Sequence, residues 1–380
     1  MCTIALHGYY GNGNMGDDAI LYATERIVEQ IPNIKLEVVG NPVPFMNTNL
    51  GRKIAKLPYG RTLLYKYHTR QMVKQIDKTD ALILGGGGIL CDRESRDVTN
   101  DVRLIRRTQS RQKPTMIYAV GVPSLWREKS KKLVKEVVEN ADYTSCRDPT
   151  SAKRIENIGV TVPIYVTGDP AIKIPKFLGI YPKPKKLDFQ KMNICISLRK
   201  TVKNNKVIKA IVKLVNHLIE KYDAKINFVP MRTTWNKDDR VIHNFVSRNL
   251  DSCNVWFFNE RPSVEEFVKK LMDTTLTIGV PLHSTLLSAS MGVPCIAIRY
   301  TPDVTSFMEY VQAERHSISL TEACDSSLLI EKTEELFDSY TAVSQRLLQN
   351  IEKIKEKTLL DEKAIKNISG ETNFERVKTS

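Results

Sequence analysis

No run of about eighteen consecutive apolar residues occurs in the 380-residue chain, so no segment reads as a membrane-spanning helix. The opening MCTIALHGYY lacks a charged flank and a long apolar core, and no secretory signal is expected there. Cysteine is sparse: Cys2, Cys91, Cys146, Cys195, Cys253, Cys295 and Cys324 are scattered, odd in number and never spaced C-x-x-C. That pattern argues against a disulfide framework and a clustered zinc site, and it predicts a reducing, cytoplasmic compartment. Arginine-rich arms, basic motifs interleaved with aromatics, internal repeats and low-complexity tracts are also missing, so no nucleic-acid partner is expected. The chain nevertheless carries 57 Lys+Arg against 43 Asp+Glu, a net charge of +14. An excess of that sign suits an acidic substrate or peripheral contact with an anionic membrane face.

What is present is an ordinary globular composition, 42% apolar and 26% charged, on a chain long enough for two domains. Short apolar, β-branched runs alternate with helical patterns. Strands are predicted at Thr3–His7, Lys35–Gly40, Ala81–Leu84, Thr115–Val120, Tyr143–Cys146 and Ile164–Val166, with helices at Ala19–Gln30, Leu63–Ile76 and Ser130–Asn140 between them. The segment 171–193 then brings three prolines and six lysines without a period, and reads as a domain crossing. Alternation resumes with strands at Asn193–Leu198, Lys225–Val229, Val255–Phe258, Leu276–Val280 and Pro294–Arg299, and helices at Lys206–Lys221 and Val264–Met272. The expected architecture is α/β: two doubly wound, Rossmann-like domains facing a cleft, spanning 1–180 and 181–330, with a C-terminal helix and tail at 331–380. Leu336, Tyr340, Val343, Leu347, Ile351 and Ile354 follow helical spacing and predict one amphipathic helix over Glu331–Lys357, packed on the body. The last ten residues are polar, and fraying is expected there.

Two glycine runs follow predicted strands. Gly11-Asn12-Gly13-Asn14-Met15-Gly16 fits G-x-G-x-x-G ahead of a helix, where free N–H groups favour an anion. The second strand does not end in the acidic residue that a dinucleotide fingerprint requires, and Asp17 and Asp18 would repel a pyrophosphate. Three readings stay open: a nucleotide loop, a structural turn, and a sugar or acid–base site using a carboxylate. Gly85–Gly88 ends the strand Ala81–Leu84 and is either a turn or a backbone surface for a ligand. In the second half, His283 stands at a strand–helix junction before a helix over Ser284–Met291, suited to an anion or to general acid catalysis. Arg199 and Arg232 end two strands and offer guanidinium forks to an acidic ligand.

Taken in order, GYYGNGNMGDDAIL (8–21), ALILGGGGIL (81–90), YAVGV (118–122), SCRDPTSAKRIENIGV (145–160), VTGDPA (166–171), ISLR (196–199), FVPMR (228–232) and LHSTLLSASMGVPCIAIRY (282–300) resemble the polysaccharide pyruvyl transferase family. The resemblance implies a GT-B fold and transfer of pyruvate from phosphoenolpyruvate to a sugar of a cell-envelope polysaccharide or its precursor. It further implies a pyruvate ketal, release of phosphate, and no metal or nucleotide cofactor. Its partners would be phosphoenolpyruvate and a saccharide acceptor, including a lipid-linked one at the inner membrane face. It places Arg199 and His283 on positions expected to hold phosphoenolpyruvate and Asn14–Asp17 on the loop facing the acceptor. Ketal formation needs an acid and a base, and the chemistry assigns the acid to His283 and the base to Asp17, with Arg199 as the third catalytic residue. Gly13, Asn14, Gly16, Gly86, Gly87, Arg147, Arg232, Ser284 and Thr285 become substrate-binding positions. Relatives carry Arg two residues before the histidine, where this chain has Pro281. Arg232, Arg147 or the Ser284–Thr285 helix start would then take its place. The alternatives are a GT-B glycosyltransferase using a nucleotide sugar, with Glu309, Glu314 or Glu322 on a ribose, and a carbohydrate-binding relative without catalysis.

Overall fold

The computed structural model describes residues 1–40, 60–94, 97–200, 204–234, 237–250 and 253–370, with 60–66 as backbone alone. The chain divides into two compact units. The first comprises Met1–Asn12, Ile20–Pro170 and Ile354–Ser380; the second comprises Gly13–Ala19 and Ala171–Lys353. The boundary expected near 180 thus falls at 170. The short stretch Gly13–Ala19 and the residues from Ile354 onward group differently from the chain-order division.

The first unit is built on a six-stranded parallel sheet. Its strands are β1 (Cys2–His7), β2 (Ile34–Val39), β3 (Ala81–Gly87), β4 (Thr115–Val120), β5 (Tyr143–Cys146) and β6 (Tyr165–Val166), in the order β2-β1-β3-β4-β5-β6. Strands β3, β4 and β5 are buried along their whole length. This explains why β3 and β4 read as largely apolar runs rather than alternating ones. Helices such as Glu128–Glu139 cover the sheet and bury Val134, Val137 and Val138. The C-terminal helix Leu359–Ile368, which no pattern had predicted, docks here. Its buried Asp361 accepts a hydrogen bond from Tyr143 Oη at 3.1 Å. That carboxylate and burial push the Tyr143 hydroxyl well above its ordinary range.

The second unit repeats the plan with β7 (Asn193–Ser197), β8 (Lys225–Phe228), β11 (Val255–Phe257), β12 (Leu276–Gly279), β13 (Cys295–Arg299) and β14 (Ser317–Ser319). Their order is β11-β8-β7-β12-β13-β14, and every pairing is parallel. A small antiparallel pair, β9 (Thr233–Thr234) and β10 (Lys237–Asp238), lies apart from this sheet. The helix Asn205–Tyr222 buries Val207, Ile211, Leu214, Val215 and Leu218 at helical spacing against the strands. The proline- and lysine-bearing crossing is pinned down rather than loose. Lys185 N–H donates to Ser344 Oγ at 2.8 Å and its Nζ donates to Met272 O at 2.6 Å, while Leu187 packs on the core.

The single helix predicted over Glu331–Lys357 is two, Ser326–Asp338 and Tyr340–Lys357, broken at Ser339. Ser339 ends the first helix with φ −112° and ψ 16°, and Tyr340 anchors the next by donating its hydroxyl to Thr275 O at 2.7 Å. The break is silent in the sequence because Leu336 and Tyr340 are four apart, the spacing an unbroken helix would also show. Val343, Leu347 and Ile351 are buried, so this face is packed rather than offered outward. The expectation of frayed final residues lies outside the described residues. Among the described residues, no helix is long and apolar enough to cross a membrane.

Candidate functional site

In a doubly wound sheet, ligands bind beyond the carboxyl ends of the strands, where the strand order reverses. In the second unit that point lies between β7 and β12, whose last residues Ser197 and Gly279 sit in register. Three neighbouring strands therefore deliver their following residues to one edge. Arg199 comes two residues after β7, Arg232 four after β8, and His283 four after β12.

The residues 13–19, distant in sequence, complete this edge. Gly13 adopts φ +64°, a conformation that favours glycine, and its carbonyl accepts the Thr233 N–H at 3.1 Å. Asn14 bridges Arg232 in antiparallel fashion, and Met15 N–H donates to Met231 O at 2.8 Å. The helix Met15–Val28 starts from this anchored loop. Gly16 leaves room for His283: a Cβ at that position would overlap the imidazole at Nδ1. Asp17 and His283, expected from opposite domains, consequently belong to the same compact unit. The reason is the backbone pairing of 13–15 with 231–233, which no sequence pattern announces.

A hydrogen-bonded chain runs through the polar groups. Asn14 Nδ2 donates to Asp17 Oδ2 at 2.8 Å, and Arg199 Nη2 donates to Asn14 Oδ1 at 3.4 Å. Arg199 Nη1 lies 3.6 Å from Asp239 Oδ2. Asp239 is buried just ahead of the helix Arg240–Ser247. Its Oδ1 accepts the Lys200 N–H at 3.2 Å and its own N–H donates to Arg232 O at 2.8 Å. Burial raises the Asp239 carboxyl to about 6, although Arg199 and Arg232 pull it down. Burial likewise raises Asp17, against the pull of Asn14, His283 and Arg232. Both carboxylates are thus held above the ordinary aspartate range, Asp239 at about 6. Asp18 is held by Arg261, whose Nη2 donates to its Oδ2 at 2.7 Å while Nη1 reaches Met15 Sδ at 3.8 Å.

The other sequence candidates fall elsewhere. Ser284 and Thr285 are fully buried and turn their hydroxyls into their own helix, Leu282–Ser290, toward Pro281 O at 2.6 Å and Leu282 O at 2.7 Å. Those hydroxyls are committed to the helix itself. Pro281 caps that turn without a side-chain hydrogen bond, consistent with its fixed φ. Gly86 and Gly87 belong to the first unit and to β3 itself, both at positive φ. A side chain at Gly86 would overlap Ile20, and one at Gly85 would meet the Tyr118 ring. Close packing therefore accounts for Gly85 and Gly86. Arg147, also in the first unit, is buried with its guanidinium over Gly121, 3.6 Å from Asp148 and 3.8 Å from Asp169. His7 Nδ1–H donates to Val39 O at 3.0 Å, and burial lowers its basicity. Asp239 and Arg261 escaped the sequence reading. Asp238-Asp239 before a helical pattern signals a helix start, yet nothing in spacing tells that one of the pair meets Arg199. Among the described residues, no three His, Cys, Asp or Glu side chains are grouped as a metal cage.

Comparison with solved structures places the architecture. S. aureus MnaA with UDP superimposes with TM-score 0.65 at 15% identity, over 98% of this chain and 98% of that one. UDP-GlcNAc 2-epimerase from Neisseria meningitidis, bound to UDP-GlcNAc, gives 0.62 at 14% identity over 97% and 100%. The calicheamicin glycosyltransferase CalG4 gives 0.54 at 10% identity over 98% and 100%. At such identities these likenesses establish the fold, which is of the GT-B type. Compared with curated protein sequences, the chain has no match. The sequence profile of polysaccharide pyruvyl transferase, by contrast, matches residues 14–302, a span that starts at Asn14 and takes in Arg199, Arg232 and His283. The chain belongs to the polysaccharide pyruvyl transferase family.

Proposed function

We propose that the protein transfers pyruvate from phosphoenolpyruvate to two hydroxyls of a sugar in a polysaccharide or its precursor, forming a cyclic ketal and releasing phosphate. The observation that carries this reading is the convergence of Arg199, Arg232 and His283 at adjoining strand ends, with Asp17 brought to the same edge by the loop 13–16. Family membership supplies the reaction class. The two guanidiniums and the start of the helix Leu282–Ser290 suit a donor carrying phosphate and carboxylate.

The roles follow from the required proton movements. Protonated His283 gives a proton to the methylene carbon of the enol phosphate, and an acceptor hydroxyl attacks C2 while passing its proton to Asp17. The second hydroxyl then attacks C2 as the C–O bond to phosphate breaks. The leaving phosphate takes the proton from Asp17, and the second hydroxyl's proton returns to His283. Each group ends as it began, so no cofactor enters the balance. The raised affinity of Asp17 for protons fits a base that must hold one transiently.

The test measures phosphate release from phosphoenolpyruvate with a panel of galactosides and N-acetylmannosaminides. Release should require an acceptor, and His283→Ala should lower it by about two to four orders of magnitude while donor binding persists. Unchanged turnover in that variant would remove His283 from the chemistry. Stabilisation by nucleotide sugars with no release on any acceptor would replace the reading with a glycosyltransferase.

A further inference from the structure

Arg199 is held loosely for a part-buried cation. Its contacts to Asn14 and Asp239 measure 3.4 and 3.6 Å, and its buried Nε makes no hydrogen bond. Asp239 is as incompletely served: its side chain is 2% exposed, and Oδ2 has no hydrogen bond, only the distant guanidinium. Asp239, buried beside a guanidinium this far away, is left with its desolvation poorly compensated. Arg199, Lys200, Arg232 and Arg261 share this edge with three carboxylates, Asp17, Asp18 and Asp239. An anionic ligand arriving there meets Arg199 already opposed by a carboxylate. Of the three, Asp18 is tied at 2.7 Å to Arg261, and Asp17 accepts a hydrogen bond from Asn14 at 2.8 Å. Asp239 shares Arg199 directly.

Resting on the donor assignment above, we propose that Asp239 is a positioning residue: its carboxylate competes with the anionic donor for Arg199, so that donor binding is accompanied by uptake of a proton at Asp239. In the absence of donor, the carboxylate restrains the guanidinium. When the donor's phosphate or carboxylate takes Arg199, Asp239 loses its counter-charge in a buried setting, and a proton replaces it. The carboxyl already sits at about 6 with its arginines in place, so a small further loss carries it through neutrality. The other groups around it are Arg232, the Asp238–Arg240 pair and His243 on its own side, and Asn14, Asp17 and His283 across from Arg199. The linkage has a definite sign: donor affinity falls as pH rises through the Asp239 range, and an uncharged side chain there removes the dependence.

The experiment is calorimetric titration of the full chain with phosphoenolpyruvate at pH 7 in buffers of different ionisation enthalpy. Asp239→Asn, Asp17→Asn, His283→Gln and Arg199→Ala are titrated in parallel. Titration of the donor's own phosphate is common to all and cancels between proteins. Asp239→Asn should take up fewer protons than the wild type and bind about tenfold more tightly at pH 8, converging with it near pH 5. Asp17→Asn and His283→Gln should keep the uptake, which also decides the matter if Asp239→Asn does not fold. Equal uptake in wild type and Asp239→Asn, or loss of uptake in Asp17→Asn or His283→Gln instead, overturns the proposal. Failure of the donor assignment itself looks different: phosphoenolpyruvate then produces no binding heat in any protein, or binds unaffected by Arg199→Ala.

Discussion

At the scale of single residues, the site depends on what one glycine leaves out. Gly16 has ordinary negative φ, so backbone freedom does not explain it. The space a Cβ would fill is taken by the His283 imidazole. Gly16→Ala should therefore lower turnover by about tenfold or more, by displacing His283, with little change in melting temperature. A variant with wild-type turnover would show that the imidazole moves without consequence. Asp17 and Asn14 were legible in the sequence as polar positions in a glycine loop. Their pairing was not, because the amide of Asn14 is oriented by Asp17 on one side and Arg199 on the other, 185 residues away. Asp239 was illegible for the same reason: a carboxylate before a helix is commonplace, and only its burial beside Arg199 makes it unusual.

At the scale of elements, the pattern of β-branched runs located the strands within a residue or two, apart from β3, which runs three residues further to Gly87, because both faces of the central strands are buried. The short strand β14 and the pair β9–β10 carry too little apolar sequence to be recognised. The helices Arg103–Gln109, Pro149–Glu156 and Arg240–Ser247 are only two turns long, below the length at which periodicity speaks. The helix Leu282–Ser290 ends with a glycine doing a different job from Gly16. Gly292 holds φ +66°, and a Cβ there would press on Leu348. Ser344 Oγ also donates to its carbonyl at 2.6 Å. Gly292→Ala should destabilise the second unit by about 1 kcal/mol or more, read as a lower denaturation midpoint. An unchanged midpoint would mean that Leu348 gives way freely.

At the scale of the whole molecule, acid should weaken the fold through buried imidazoles. His243 is buried among Phe228 and Phe257 with neither ring nitrogen hydrogen-bonded, and burial holds it at about 4. His316 is held at about 4 by burial and by Arg315. Each binds its proton more readily when unfolded, so its contribution is complete above pH 6.5 or so and is lost as pH falls toward 4. Asp239 works in the opposite sense: raised to about 6, it favours the folded state below its ordinary value and opposes it as pH rises through 6. His243→Phe should flatten the acid limb of the stability curve between pH 6.5 and 4 and leave pH 8 nearly unaltered. An unchanged slope in thermal melts across that range would place the acid sensitivity elsewhere.

The sequence by itself determined the fold class, the two α/β halves, the strand ends from which Arg199, Arg232 and His283 emerge, and the family. Local periodicity, turn chemistry and contiguous motifs are properties of neighbours in the chain, and these calls required nothing more. Tertiary structure alone decided which candidates share a site. It packed Gly85 and Gly86 against Tyr118 and Ile20 and tied Arg147 down in the first unit. It folded the hydroxyls of Ser284 and Thr285 into their own helix and seated the loop 13–16 against 231–233. Each of these outcomes depends on burial and on partners far along the chain. Burial and distant partners decide whether a charge is compensated, a proton is held or a side chain has room, and no window of neighbouring residues contains that information.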